Sequence, residues 1–483
     1  KKQRCVISVT LARPSAAVDY WKGAMHAKKM LTGGHRHLMT QHNLSAFGLD
    51  LRAGHNVLYL LLLILVFSVA VTTGTWDIGN SRVVLYHELV FIVAYILVFR
   101  GEMPLLQDIR QRPFVVALVL LWAVSITVSL WQSPLQLRHL TIAQFRYAET
   151  LAHVAFFAVL YSFFRAYSLP YRLLFTTVLV GYALIVVHAF MTWHFSPDPG
   201  IHSHRMWFSH FPFAGHARHA GYNMMVACIA GVTLWMTSTE KMPSLAANAL
   251  GLFLVGACLI WLGGRGSMLS VVLAVLVIGY VTRKQLRLSA WRVWLLMGIV
   301  TLALLAAELA AQFRFNGLYN SFVRSLAADD LNRLSSSRLA IWADALSKLE
   351  GHWLMGFGSQ AYLFLPDKLA RKTSMPHNMI VQFLVEWGIV GTLLFLTILV
   401  RYLRAGFSEL LRVYEGMVSK WYLLGSAAVV LALMLHGLTD GTFYHGKASF
   451  YMALFAGVWM SAGVTENVTA DAKGQFLVSS GRR

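Results

Sequence analysis

Pro376-His377-Asn378 stands directly before a long apolar run. An imidazole at that point is expected in the first turn of a membrane-spanning helix, at the water boundary. The positive end of a helix dipole disfavours imidazolium, so this histidine is expected to be neutral and to accept a proton. That is the chemistry of a general base. Three arginines complete the set. Arg218 lies in H-A-R-H-A-G-Y-N, Arg265 in the four-residue connection Gly263-Gly264-Arg265-Gly266, and Arg338 opens a helical pattern with Trp342, Ala345 and Leu346. A guanidinium fork matches phosphate oxygens bidentately and stays charged at any working pH. Three forks beside helix ends suit a diphosphate at the level of lipid headgroups. The alternatives are snorkelling to lipid phosphates or pairing with Glu308, Asp329 or Asp330. Glycines beside Arg218 and Arg265 allow close backbone approach and favour the diphosphate.

The elements that position these residues are membrane spans. Hydrophobic residues make up 57% of the 483 and charged residues 13%, about half the charged share of an ordinary soluble domain. Twelve apolar runs are long enough to cross a bilayer: 57–73, 84–99, 114–131, 150–164, 173–194, 221–237, 245–262, 267–282, 291–309, 378–400, 421–436 and 450–462. The fold class is therefore all-α, a polytopic membrane protein of about twelve helices. The chain reads as a basic N-terminal extension (1–55), spans 1–9 (56–309), a long helical loop (310–376), spans 10–12 (377–464) and a C-terminal tail (465–483).

Lys and Arg gather in alternate short loops, among them Arg110, Arg112, Lys241, Arg283, Arg401 and Arg404. This bias places both termini in the cytoplasm and the long loop outside. The formal charge of +20 is largely this bias plus the basic extension, which lacks the apolar core of a secretory signal and reads as a segment near anionic lipid. It does not mark a nucleic-acid surface. Cys5, Cys228 and Cys258 fall in the tail and in spans, so the outer loops have no disulfide framework. No nucleotide-binding loop, heptad pattern or short repeat is present.

Two further groups lie toward the outer face. The loop between the fifth and sixth spans holds His194, His202, His204, His210, His216 and His219 among Trp193, Trp207, Phe208, Phe211 and Phe213. Its one carboxylate, Asp198, and its Pro and Gly content argue against a metal site. Packing on lipid accounts for the aromatics, with sugar stacking as the alternative. H-G-L-T-D-G-T-F-Y-H supplies His436, Asp440 and His445. Asp440 could orient an imidazole or pair with an arginine; a helix-end carboxylate in solvent is the simpler reading. Arg138 and Arg146, placed in the loop before the fourth span, could guard the same cavity.

The ordered set R-x-x-x-W-x-x-A-L, G-F-G, H-N and E-W-G-I-V-G over residues 338–391 resembles the signature of the O-antigen ligase and polymerase superfamily. G-R-G-S at Arg265 is similar to that family's helix-mouth arginine motif, and R-H-x-G at Arg218 to its partner motif. The resemblance implies a GT-C-like multi-span glycosyltransferase of the bacterial inner membrane, with its site facing the periplasm. Its donor would be an undecaprenyl-diphosphate-linked glycan, its acceptor lipid A–core, and no metal or other cofactor is implied. His377 maps to the catalytic histidine and Arg218, Arg265 and Arg338 to the diphosphate-binding arginines; His219, Asn378, Asp440 and Arg146 are secondary candidates. A polymerase, using a second lipid-linked glycan, and a protein O-oligosaccharyltransferase would use the same parts. A transporter or flippase would need ionisable residues in mid-span and paired broken helices, and the apolar runs are nearly free of charge.

Overall fold

A computed structural model describes residues 53–72, 78–100, 103–134, 137–237, 242–283, 289–367, 369, 375–412, 418–461, 468–470 and 476–478. The basic N-terminal extension lies almost wholly outside these residues. The unit that runs from Leu58 to Arg483 holds everything discussed below except the first four residues of the first helix.

The helices are α1 (Gly54–Val71), α2 (Ile78–Val98), α3 (Pro104–Gln111), α4 (Pro113–Trp131), α5 (Leu137–Ala166) and α6 (Tyr171–Phe195). They continue with α7 (His204–Ser209), α8 (Ala217–Thr237), α9 (Met242–Trp261), α10 (Arg265–Thr282) and α11 (Ala290–Leu309). Between α11 and α15 (Met379–Arg412) run three short helices, α12 (Leu318–Leu326), α13 (Leu331–Leu334) and α14 (Arg338–Ser347). The bundle closes with α16 (Val418–Gly437) and α17 (Gly446–Ser461). A short antiparallel hairpin pairs Val468–Ala470 with Phe476–Val478.

Among the described residues, ten helices are long and apolar enough to cross a membrane. α2, which carries Arg82 and Glu88, and α17, with 16 residues, stand where the second and twelfth spans were expected. α8 and α17 are buried along most of their length. α11, by contrast, leaves Trp294 75% and Leu302 60% exposed. Apolar exposure on that scale suits a lipid solvent, and the inner helices gain their stability from close packing. Gly181 against Ala70 and Gly457 against Leu160 are positions where a missing Cβ lets two helices approach.

The fourth span differs from its sequence reading. It begins at Leu140 rather than residue 150, because α5 continues upward through ten further residues. Arg146 and Glu149 therefore lie inside the helix and inside the protein, not in a loop, one turn before His153. Arg146 is 7% and Glu149 3% exposed. A polar group buried in a bundle needs a partner, and Arg146 Nη1 donates to Glu149 Oε2 at 2.6 Å while its guanidinium covers the Tyr444 ring. The expectation that the spans are nearly free of charge is corrected by this cluster, to which Glu88 and Glu386 also belong.

α15 is broken at Gly388, whose φ of 65° and ψ of −171° leave the helical region. A break in a membrane helix exposes backbone groups that no water can satisfy, so protein must satisfy them. The long loop does this. Phe357 N donates to Val385 O at 2.8 Å and Gly358 N to Glu386 O at 3.0 Å; Ile389 N donates to Trp353 O and Val390 N to Leu354 O. Ser129 Oγ of α4 also donates to Glu386 O and accepts from Gly358 N. A Cβ on Gly388 would collide with the Leu354 carbonyl, and one on Gly356 with Gly388 N. The G-F-G and E-W-G motifs are thus two halves of one joint. An apolar cluster of Ile341, Ala345, Leu349, Phe357, Tyr362, Val381 and Val385 then fastens α14 onto the start of α15.

Candidate active site

His377 precedes α15 rather than lying in its first turn. Asn378 caps the helix, its Oδ1 accepting from Ile380 N at 2.9 Å and Val381 N at 3.1 Å. Asn378 Nδ2 donates to Leu438 O at 2.8 Å, which ties the cap to the connection between α16 and α17. The backbone of His377 is left-handed, φ 56°, a conformation that costs a non-glycine residue on the order of 1 kcal/mol or more. Trp342 Nε1 holds the preceding Pro376 carbonyl at 2.9 Å. The motif tryptophan, the asparagine cap and the joint at Gly388 together keep the imidazole where an unconstrained chain would not.

Asp440 meets that imidazole. His377 Nδ1 donates to Asp440 Oδ1 at 2.8 Å, and Arg338 Nη2 donates to Oδ2 at 3.1 Å. Arg338 Nη1 donates to the Thr439 carbonyl, and Gly441 N to Oδ1 at 2.8 Å. Burial alone would raise the Asp440 carboxyl. The His377 hydrogen bond and the Arg338 charge outweigh it and hold the carboxyl well below its usual range. An ionised carboxylate only accepts, so the proton of a neutral His377 sits on Nδ1 and the Nε2 lone pair is free. Asp440 was read as a solvated helix-end residue; it is 8% exposed and performs both of the other roles weighed for it.

Arg265 is the first residue of α10. Its Nη1 donates to Ser325 Oγ at 2.8 Å, and its Nη2 to Leu334 O at 3.1 Å and Ser336 Oγ at 3.2 Å. It therefore straps α12, the end of α13 and the turn before α14 to the connection between α9 and α10. Arg218, the second residue of α8, is exposed, and among the described residues its guanidinium makes no hydrogen bond or ion pair. The two motif segments touch: a Cβ on Gly221 would lie 2.8 Å from Ser267 Oγ, so R-H-x-G packs on G-R-G-S through its glycine. Arg338 is pushed down by burial and by Arg218 and Arg265, against the pull of Asp440. These three predicted arginines share one field.

A fourth guanidinium shares it. Arg324 of α12 is pushed down by burial, then by Arg265 and Arg218. Its Nη2 donates to Gly263 O at 3.2 Å, Phe315 O at 3.2 Å and Ser321 Oγ at 3.0 Å. The sequence offers no local signal for it, since an arginine on a short amphipathic helix reads as a solvated charge. Only the fold of the long loop over Gly263 brings it in.

The histidines divide. His219 lies tilted against His445 with ring centroids 3.8 Å apart, Tyr222 stacks on His445 at 5.8 Å, and His219 and Tyr222 also meet at 5.9 Å. His436 bridges Thr442 Oγ1 at 2.6 Å and Ser267 Oγ at 3.1 Å. His216 Nδ1 accepts from Arg218 N at 3.0 Å, and burial followed by the Arg218 charge pushes it down to about 4. Burial first, then His219, also holds His445 well below the ordinary imidazole value. His204 and Phe208 pack against Phe315, and Trp207 against Trp261. The aromatic loop thus seats on the protein. Among the described residues no group of three or more His, Cys, Asp or Glu is placed to hold a metal ion. Arg146 is paired inside α5, and its guanidinium lies over Tyr444, next to His445.

Residues 250–396 match the O-antigen ligase family, Wzy_C. No curated protein matches the chain. The matched segment carries Arg265, Arg324, Arg338, His377 and the joint at Gly388; Arg218 and Asp440 lie outside it and reach the site through the fold. A match over this segment, with ten apolar spans among the described residues, supports a membrane enzyme of the O-antigen ligase and polymerase kind. That match supports a place for the chain in the O-antigen ligase superfamily.

Proposed function

We propose that this protein is an O-antigen ligase. It would transfer a glycan from undecaprenyl diphosphate to lipid A–core at the periplasmic face of the bacterial inner membrane, in lipopolysaccharide biosynthesis. The observation that carries the reading is the Arg338–Asp440–His377 chain beside Arg218, Arg265 and Arg324. In this reading His377 Nε2 removes the proton from an acceptor sugar hydroxyl, and that oxygen attacks the anomeric carbon. The bond from this carbon to the diphosphate breaks, the configuration inverts, and the leaving diphosphate keeps the electron pair. Guanidiniums supply the positive charge the leaving group needs, so the mechanism is electrostatic and metal-independent. Asp440 fixes the tautomer and stabilises the imidazolium that forms.

The test is a reconstituted transfer. Purified protein receives defined lipid-linked glycan with lipid A–core, or with no acceptor, in the presence and absence of EDTA. Glycan joined to lipid A–core, unaffected by EDTA and abolished by His377→Ala, is the expected result. Longer lipid-linked glycan without added acceptor would make the protein a polymerase, and chelator-sensitive transfer rescued by Mg²⁺ would overturn the electrostatic mechanism.

A further inference from the structure

A single displacement at the anomeric carbon works only when base and leaving group stand in register across it. The parts that hold them sit on different elements. Arg218 and Arg265 stand at the mouths of α8 and α10, whereas Asp440, which orients His377, stands on the connection between α16 and α17. A misplacement of about 1 Å costs on the order of 10²-fold in rate. The mouths of α8 and α10 must therefore be fixed against that connection.

His436, buried in the last turn of α16, touches all three. Its Nδ1 shares a hydrogen bond with Thr442 Oγ1 at 2.6 Å, and its Nε2 one with Ser267 Oγ at 3.1 Å. A neutral imidazole donates through one nitrogen and accepts at the other, and a hydroxyl does either, so both bonds form in either tautomer. Its ring meets Tyr222 of α8, one turn after Arg218, with centroids 6.0 Å apart. The His436 carbonyl accepts from Thr439 N at 3.0 Å and Asp440 N at 2.8 Å, so the same residue sets where the Asp440 backbone leaves the helix. Ser267 follows Arg265 by two residues in α10. A Cβ on Gly266, between them, would lie 3.2 Å from Thr439 Oγ1 and 3.4 Å from His436 Cδ2. The missing side chain lets the arginine motif close on His436. An apolar side chain of this size could fill the same space without burying two polar nitrogens, but apolar packing is non-directional. The imidazole spans α10 and the Asp440 connection with two directed bonds.

We propose that His436 is a positioning residue for glycan transfer: it holds the arginine-bearing mouths of α8 and α10 and the Asp440–His377 base in register, without itself touching substrate. The inference rests on the ligase reading for the reaction, and on the hydrogen bonds alone for the junction.

The experiment reads kcat, both KM values and backbone amide exchange on protein in nanodiscs. His436→Phe keeps a planar ring and removes both hydrogen bonds. Its kcat should fall about 10²-fold with both KM values within about threefold of wild type, because base and arginines remain and only their register is lost. A carboxamide also donates and accepts, so His436→Gln, which reaches toward Ser267, should recover at least about a third of the wild-type kcat. Ser267→Ala cuts the bridge from the α10 side alone and should cost about tenfold, but no more than about twofold when added to His436→Phe. Amide exchange should quicken together in 265–268 and 438–442 in both single variants. A kcat within about threefold in His436→Phe, a loss carried by KM, no recovery in His436→Gln, or full additivity with Ser267→Ala each overturns the proposal. Where His436→Phe does not fold, Ser267→Ala decides: wild-type kcat and unchanged exchange overturn it. Should the wild-type protein join no glycan to lipid A–core, the ligase reading fails and amide exchange in the two segments decides the junction by itself. Wild-type transfer that no variant lowers would sink the positioning role and leave the ligase reading standing.

Discussion

Asp440→Asn changes almost no volume and removes one charge, which makes it the sharpest probe of the site. The carboxylate takes His377 Nδ1 and Gly441 N on Oδ1, each at 2.8 Å, and Arg338 Nη2 on Oδ2 at 3.1 Å. A carboxamide has one acceptor oxygen and one NH₂ donor. With the oxygen toward His377, the NH₂ group faces the Arg338 guanidinium, donor against donor. With the amide turned over, the NH₂ group faces His377 Nδ1 and drives the proton to Nε2, which abolishes the base. Stability should fall by about 2 to 4 kcal/mol, between the loss of one charge-assisted bond and the breaking of a buried pair. Transfer should fall by roughly 10²- to 10⁴-fold, the range for loss of a general base. The assay is the transfer rate at saturating donor and acceptor, run well below a melting temperature measured on the same preparation. A variant that melts lower yet transfers within about threefold of wild type would show Asp440 to be only a strut, and His377 would need another source for its tautomer.

Three more expectations follow from the same geometry. Arg265→Lys keeps the charge but cannot span Ser325, Leu334 and Ser336 together, so it should recover only part of the rate lost in Arg265→Ala; the Arg218→Ala/Arg265→Ala double should cost less than the sum of the singles, and strict additivity would mean that the two do not act on one group. Gly388→Ala places a Cβ against the Leu354 carbonyl at a backbone angle essentially reserved for glycine, so a loss of at least about 3 kcal/mol and early proteolysis within 353–358 are expected; an unchanged melting temperature would refute the joint. His216 is held at about 4 in the folded protein against an ordinary value of about 6.5. The unfolded chain therefore takes up a proton that the folded one refuses, and stability is full above about pH 6.5 and falls as pH drops toward 4. Asp440, held low in the fold, adds a loss at still lower pH. His216→Gln should lessen the fall in melting temperature between pH 6.5 and 4 without abolishing it, since His445 is also held low and contributes over the same range; an unaltered slope would place that titration elsewhere.

The sequence by itself determined the class, the general run of the spans and the chemistry of the motif residues. Twenty-residue apolar runs leave a chain few options in lipid, and His377, Arg218, Arg265 and Arg338 announced themselves as polar residues beside glycines, prolines and helix ends. It could not decide partners, because partnership depends on which loop folds over which helix. Asp440 is 63 residues from His377 and 102 from Arg338, and no local pattern separates a buried orienting carboxylate from a solvated one. Arg324 joins the site only because α12 lies across Gly263. The joint at Gly388 was legible as a glycine within an apolar run, but that the G-F-G segment supplies its missing hydrogen bonds became visible only when the two were brought together. Hydropathy averages also hid Arg146 and Glu149: charged residues lower the mean and shorten the apparent span, although pairing inside the bundle lets the helix continue through them. Tertiary structure decides such residues, because an ionisable group can be buried only where another element satisfies it.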